Sequence, residues 1–195
     1  MIKEMDTIIN RPFNNRRIRS LLARFRYPMA GLLFILFIIY IQNMNTTLFL
    51  SGFLVSVFGE LIQAWSFGSL EKNRVLVDRG PYSLVRNPMY IGRFFVLLGF
   101  MLLTKNTYVL SIYFILFFLY AANRVKREEN TLRESFGKAY ERYCREVNRF
   151  LPSLRRPGGD NIRYFNRHLF IKNNGHLNLM LIVIIYLSIY FFVSI

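Results

Sequence analysis

The groups in this chain that have the types and spacing to do chemistry stand at the edges of apolar stretches or inside them. The stretch Gly80-Pro81-Tyr82-Ser83-Leu84-Val85-Arg86-Asn87-Pro88-Met89-Tyr90-Ile91-Gly92-Arg93 joins a turn-rich polar loop to an apolar run that carries an arginine. Asn87-Pro88 sets a turn signal beside a favoured first helical residue, so a helix is expected to begin at Pro88 with Asn87 as its cap. Free N–H groups and the positive end of a helix dipole then face the loop, which suits a carboxylate or a phosphate; the same residues also suit an ordinary capped membrane helix. Glu60 and Gln63 lie three apart on one face of an earlier apolar run, and a carboxylate in lipid requires a partner. Counted from the ends of their runs, Glu60 is roughly 10 Å deep and Arg93 roughly 7 Å, at 1.5 Å per residue. The two are therefore expected to pair or to line a shared polar cavity, unless each snorkels to the interface. Glu128-Glu129 sits amid basic residues. It is either a salt-bridged surface helix or the counter-charge for a cationic ligand.

The elements that must position these groups follow from composition. The chain has 195 residues, 53% of them apolar and 17% aromatic, with a mean hydropathy of +0.27, which is too apolar for a soluble domain of this size. Five apolar runs cover 27–44, 47–67, 89–104, 108–123 and 177–195, against the roughly 20 residues a helix needs to cross a bilayer. The third and fourth are the shortest, and cross only a thinned bilayer or by borrowing length from their flanks. The expectation is an all-α, polytopic integral membrane bundle of about five helices, forming a single domain over 1–195. It comprises a basic segment at 1–26, four helices over 27–123 with a polar loop at 68–88, a helical polar segment at 124–176 and a last helix at 177–195. Of the 26 Lys and Arg residues, 7 fall in 1–27, 4 in 68–88 and 13 in 124–176. If all five runs cross, these segments share one side, and the positive-inside rule makes that side the cytoplasm, with the C-terminus opposite. The net charge of +15 is thereby read as a rim facing anionic lipid rather than as a nucleic-acid surface.

Several chemistries are excluded. The single Cys144 excludes an internal disulfide, and His168 and His176 do not have metal-ligand spacing, so no metal is expected. Neither a Walker loop nor a GxGxxG stretch is present. Residues 11–26 are basic with interleaved apolar positions and suit an amphipathic segment on the inner leaflet; the absence of a small-residue cleavage site after 27–44 makes that run a retained helix. Phe136, Gly137, Tyr140 and Tyr143 put aromatics on one helical face, with Gly137 as its weak point. Arg149-Phe150-Leu151-Pro152 ends that element, and Gly158-Gly159-Asp160 is a flexible link.

Taken in order, Gly80-Pro81-Tyr82, Arg86-Asn87-Pro88-Met89-Tyr90-Ile91-Gly92, Glu128-Glu129, Phe136-Gly137-x-x-Tyr140-x-x-Tyr143 and Arg149-Phe150-Leu151-Pro152 resemble the isoprenylcysteine carboxyl methyltransferase family. That group of integral membrane enzymes is related to phospholipid N-methyltransferases, and the likeness covers about 59–152. It implies S-adenosylmethionine as cofactor, bound on the cytosolic side. It also carries Gly80, Pro81, Tyr82, Arg86, Asn87, Pro88, Tyr90 and Gly92 over as the binding loop and helix start, with Glu128 and Glu129 as the paired carboxylates. Asn87 stands where many members have histidine, and Gln63 where related sequences often have arginine.

The implied cofactor has a sulfonium, an ammonium and a carboxylate, so its pocket needs both signs of charge and an apolar surface. Arg86 and the helix start suit the carboxylate, Glu128 or Glu129 the ammonium or an adenosine hydroxyl, and Tyr82, Tyr90 or Tyr140 packing and polar contacts. A terminal carboxylate acceptor, with a pKa of about 3.5, is already anionic and needs only an arginine such as Arg93 or Arg149 to hold it. A protonated amine acceptor needs a base, and Glu60 or a tyrosine is then required. The intramembrane Arg93 favours a lipophilic or lipidated carboxylate. Phospholipid amine methylation is the alternative, followed by an NADPH-dependent sterol-reductase-like activity and a non-catalytic lipid-binding adaptor.

Overall fold

The computed structural model describes residues 31, 35–37, 39–41, 45–71, 75–153 and 162–193. The amphipathic segment expected over 11–26, much of the run 27–44 and the link at 158–160 lie outside the described residues. The chain divides into two compact units, Met1–Gln42 and Asn43–Ile195. In the first, residues 31, 35–37, 39 and 40 are helical, and the Ile41 N–H donates to the Phe37 carbonyl at 3.1 Å.

The second unit is built from helices: α1 (Thr46–Ser69), α2 (Pro88–Leu103), α3 (Thr107–Glu146), α4 (Arg167–Lys172) and α5 (Gly175–Val193). Among the described residues there is no strand, only an isolated parallel bridge between Val85 and Asn148. α1, α3 and α5 are long and apolar enough to cross a membrane. α2, with 16 residues, spans about 24 Å and is shorter than a hydrocarbon core. Large apolar side chains on the outer faces, among them Leu61, Ile115, Phe118 and Phe192, are more than half exposed, as lipid-facing surfaces are. The chain is an integral membrane protein with an all-α bundle.

α1 and α2 run antiparallel along a seam of small residues. A Cβ on Gly59 would stand 2.5 Å from the Val96 nitrogen and 2.6 Å from the Gly92 carbonyl, so only glycine lets the two backbones approach this closely. Ser56 Oγ donates to the Val96 carbonyl at 2.9 Å, and the Tyr186 hydroxyl donates to the Gly52 carbonyl at 2.9 Å, which fastens α5 to the same seam. At the other end of α1, Asn173 Nδ2 donates to the Phe67 and Leu70 carbonyls at 2.9 and 2.7 Å. Those carbonyls belong to the last turn and have no partner within the helix. Trp65 Nε1 and Ser69 Oγ both donate to the Tyr164 carbonyl. This platform seats Gly80, whose φ of +60° is a left-handed conformation that disfavours side chains.

α3 joins the fourth apolar run and the charged segment after it into one element of 40 residues. Asn106 Oδ1 caps its start by accepting from the Tyr108 and Val109 N–H groups. Gly137, the expected weak point, has φ +48° and ψ −123° and breaks the helical path.

Candidate active site

Two segments far apart in sequence meet beneath α2. Gly80–Ser83 forms a 3-10 turn with Pro81 near its start, and Ser83 Oγ donates to the Gly80 carbonyl at 2.7 Å. Beyond it, the Arg86 N–H donates to the Asn148 carbonyl at 2.9 Å and the Ser153 N–H to the Leu84 carbonyl at 2.8 Å, so the chain leaving α3 lies alongside the loop entering α2. The Tyr143 hydroxyl completes the clasp by donating to the Tyr82 carbonyl at 2.7 Å. Burial pushes the phenols of Tyr82, Tyr140 and Tyr143 upward, and the charge of Glu128 adds to the effect at Tyr82. All three therefore stay neutral donors near pH 7.

Inside the clasp, Glu129 is 5% exposed and ringed by cations. Arg149 donates to both of its oxygens, through Nε to Oε1 at 3.0 Å and through a terminal nitrogen to Oε2, as a two-pronged guanidinium fork. This bonding raises the Arg149 pKa. An Arg86 terminal nitrogen lies 3.4 Å from Glu129 Oε1, and the same nitrogen donates to Cys144 Sγ at 2.7 Å. α2 begins at Pro88 with Asn87 in the capping position, but the Asn87 side chain makes no cap bond. Its Nδ2 instead approaches Glu129 Oε1 at 3.5 Å and the Arg149 carbonyl at 3.4 Å, drawn by the buried charge. Glu128 has other surroundings: it is 44% exposed, accepts from the Tyr90 hydroxyl at 2.8 Å and pairs with Arg124 at 3.1 Å.

Two cavities flank this cluster. The more polar one, of about 320 Å³, mixes charged and apolar groups and is lined by Glu71, Leu76, Tyr82, Arg86, Phe136 and Tyr143, among others. An apolar groove of about 260 Å³ lies between α2 and α3, lined by Tyr90, Phe94, Phe117, Phe118, Ala121 and Phe150, among others. The Arg86 Nε and the Tyr140 hydroxyl are buried without a hydrogen-bond partner.

The expected Glu60–Arg93 pair is absent. Glu60, 1% exposed, accepts at Oε2 from Asn178 Nδ2 at 2.8 Å and from Gln63 Nε2 at 3.3 Å. The physical reason is helix azimuth: Gly92 is the residue of α2 that abuts α1, against Gln63 and Gly59, and Arg93 is turned about 100° from it at 3.6 residues per turn. Arg93 sits 5.4 Å from the Tyr90 ring centroid, near enough to Tyr82 to oppose the rise of its pKa, and has no carboxylate partner among the described residues. Gly92 is thus a packing position covered by α1, with no free backbone for a ligand. Asn178 and the aromatic groove were missed in the sequence. Asn178 left a signal, an amide inside an apolar run, whereas the groove left none.

With this geometry in place, the comparisons decide the family: the phospholipid methyltransferase family model matches residues 29–139. The chain belongs to the phospholipid methyltransferase family. The match takes in Glu60, the loop before α2, Arg93 and both glutamates of α3, and ends before Tyr140, Cys144 and Arg149. Protein-S-isoprenylcysteine O-methyltransferase of Schizosaccharomyces pombe is 31% identical over 83 residues, covering 43% of this chain and 35% of that protein. The Saccharomyces cerevisiae protein of the same name is 34% identical over 84 residues with the same coverage. The cobalt-zinc-cadmium resistance protein CzcN of Cupriavidus metallidurans is 32% identical over 83 residues, 43% of this chain and 38% of that protein. The matched stretch therefore spans little more than a third of these relatives' length. No solved structure matches.

Proposed function

We propose that the chain is an S-adenosylmethionine-dependent methyltransferase that transfers a methyl group to the carboxylate of a lipophilic acceptor, with the polar cavity taking the donor and the apolar groove taking the acceptor's hydrocarbon. The observation that carries this reading is that the polar cavity and the apolar groove border one cluster holding Arg86, Tyr90, Glu128 and Glu129. The residues fit the donor: the Arg86 guanidinium, with a buried and unpartnered Nε, lines the polar cavity, and a half-exposed carboxylate at Glu128 stands close to Tyr82. S-adenosylmethionine, when bound, supplies a methyl group activated by a sulfonium. Arg86 would hold its carboxylate and Glu128 its ammonium, with Tyr82 and Phe136 offering apolar surface. Glu129 and Arg149 are committed to each other, so their work is positioning: they fix Arg86, and Arg149 is not free to hold an acceptor. That leaves Arg93, whose guanidinium lies over Tyr90 at the wall of the groove. A carboxylate held there is already anionic at neutral pH and needs no base. The groove offers an apolar lining and no base, which leaves alignment as the main contribution of the protein.

The names of the Schizosaccharomyces and Saccharomyces relatives support a carboxylate acceptor carried on a lipidated cysteine. The family name keeps phospholipid amine methylation as the second reading. It requires a proton acceptor near the groove. Glu60, the intramembrane candidate, is closed between α1 and α5 and does not line it. The basic rim supports a topology with the donor cavity, the N-terminus and the 124–176 segment in the cytoplasm and the C-terminus opposite. The test is to incubate purified protein in lipid nanodiscs with methyl-labelled S-adenosylmethionine and either farnesylated cysteine or native phospholipid. Label that alkali releases as methanol is an ester and supports the proposal; alkali-stable label on a phospholipid amine overturns the choice of acceptor, and no transfer overturns the proposal.

A further inference from the structure

We propose that Cys144 is a thiol-modification site through which a small disulfide controls the orientation of Arg86. The effect on donor affinity rests on the function proposed above; the modification itself does not. Arg86 faces two ways. It lines the polar cavity, and its terminal nitrogen is held from behind by Cys144 Sγ at 2.7 Å and Glu129 Oε1 at 3.4 Å. Glu129 is buried, whereas Cys144 is partly exposed. One turn earlier on the same face, Tyr140 is 1% exposed, and its hydroxyl lies against the thiol outside hydrogen-bonding geometry, with no partner among the described residues. That idle donor is positioned to bind a second sulfur or a polar adduct on Cys144. The ion-pair cluster accounts for Arg86 and Glu129, but neither the cluster nor the cavity gives the Tyr140 hydroxyl a partner.

The step is thiol–disulfide exchange. The Cys144 thiol loses its proton to water, and the thiolate attacks one sulfur of the disulfide. A new S–S bond forms as the old one breaks, and the departing thiolate takes up a proton. No net oxidant beyond the disulfide is consumed, and a free thiol reverses the step. An adduct on Sγ occupies the volume into which the Arg86 terminal nitrogen now points. The guanidinium must then swing off Glu129, and the cavity loses its fixed positive wall.

Cys144 is the only cysteine of the chain, which makes the stoichiometry unambiguous. The experiment treats full-length protein in nanodiscs with oxidised glutathione and follows intact mass, amide hydrogen exchange over 80–90 and calorimetric affinity for S-adenosylmethionine. The expected result is one glutathione per chain, removed by dithiothreitol, with faster exchange over 80–90 and affinity about tenfold weaker, the worth of one charge-assisted hydrogen bond. Cys144→Ser and Cys144→Ala take no adduct, and their exchange and affinity do not respond to the disulfide. Tyr140→Phe forms the adduct more slowly. Absence of an adduct overturns the inference, as does an adduct that leaves exchange over 80–90 unchanged. If the adduct forms and speeds exchange while neither form binds the methyl donor, control of Arg86 stands and the donor assignment falls.

Discussion

The two adjacent glutamates of α3 should fail in different ways when each is neutralised. Glu129→Gln keeps the shape of the side chain but faces an amide and no charge toward Arg86 and Arg149. Breaking a buried ion pair by removing one partner costs about 3–5 kcal/mol. Arg149 is 48% exposed and recovers part of this from water, whereas Arg86 at 14% does not, so we expect a loss of about 2–3 kcal/mol. For a chain of this size that lowers the unfolding midpoint by roughly 5–10 °C, at about 2–4 °C per kcal/mol. Glu128→Gln gives up an exposed i,i+4 pair with Arg124, worth about 0.3–0.5 kcal/mol, while its amide oxygen still accepts from the Tyr90 hydroxyl. Its midpoint should move by no more than about 2 °C. Its affinity for S-adenosylmethionine should weaken about tenfold, because Glu128 retains a face for an ammonium. Thermal unfolding in detergent and titration calorimetry on both variants read the two effects separately. The reasoning is refuted if Glu128→Gln unfolds as early as Glu129→Gln, or if Glu129→Gln melts with the unmodified protein.

Arg93→Gln should raise the KM for a carboxylate acceptor by about tenfold, the worth of one charged hydrogen bond, and leave calorimetric donor affinity nearly unchanged; an unchanged KM would remove Arg93 from acceptor binding. Asn178→Leu should destabilise the protein by about 1–2 kcal/mol, because it leaves the Glu60 carboxylate with Gln63 alone at membrane depth; equal melting of variant and parent would show that Glu60 has another partner. Gly59→Ala should cost about 1–3 kcal/mol, since its Cβ would meet the Val96 nitrogen and Gly92 carbonyl, and a melting curve matching the parent's would mean that the seam relaxes freely.

How much of this was legible in the sequence depends on which coordinate a residue pattern encodes. Run length and hydropathy located α1, α3 and α5, the Asn87-Pro88 pair located the start of α2, and Gly137 marked the break in α3. Relative level along α1 and α2 was also readable from a fixed rise per residue, since Gly92 meets Gly59 and Gln63. Rotation about a helix axis was not. Glu60 and Arg93 lie at similar levels of α1 and α2 but on faces that point to different neighbours, and the face of each is set by where α5 and the Gly59–Gly92 contact fall. Asn87 illustrates a second gap: a capping residue beside a helix start is a local signal, yet a buried carboxylate 42 residues away drew its side chain elsewhere. The motif order brought 80–92 and Glu128-Glu129 to notice as related segments. That Arg149 would fasten Glu129, leaving Glu128 half-exposed, depended on the return of the chain after α3.

That return segment has a consequence for biogenesis. The bridge between Val85 and Asn148 and the Arg149 fork on Glu129 close a circuit of more than sixty residues, with α2 and α3 inside it. A nascent polypeptide halted before Asn148 would already carry both glutamates and the whole loop, yet lack the Val85–Asn148 bridge and the Arg149 fork that close the clasp. Competence therefore arrives late, after both hydrophobic hairpin arms have left the translocon, and no half-inserted precursor can form the complete clasp.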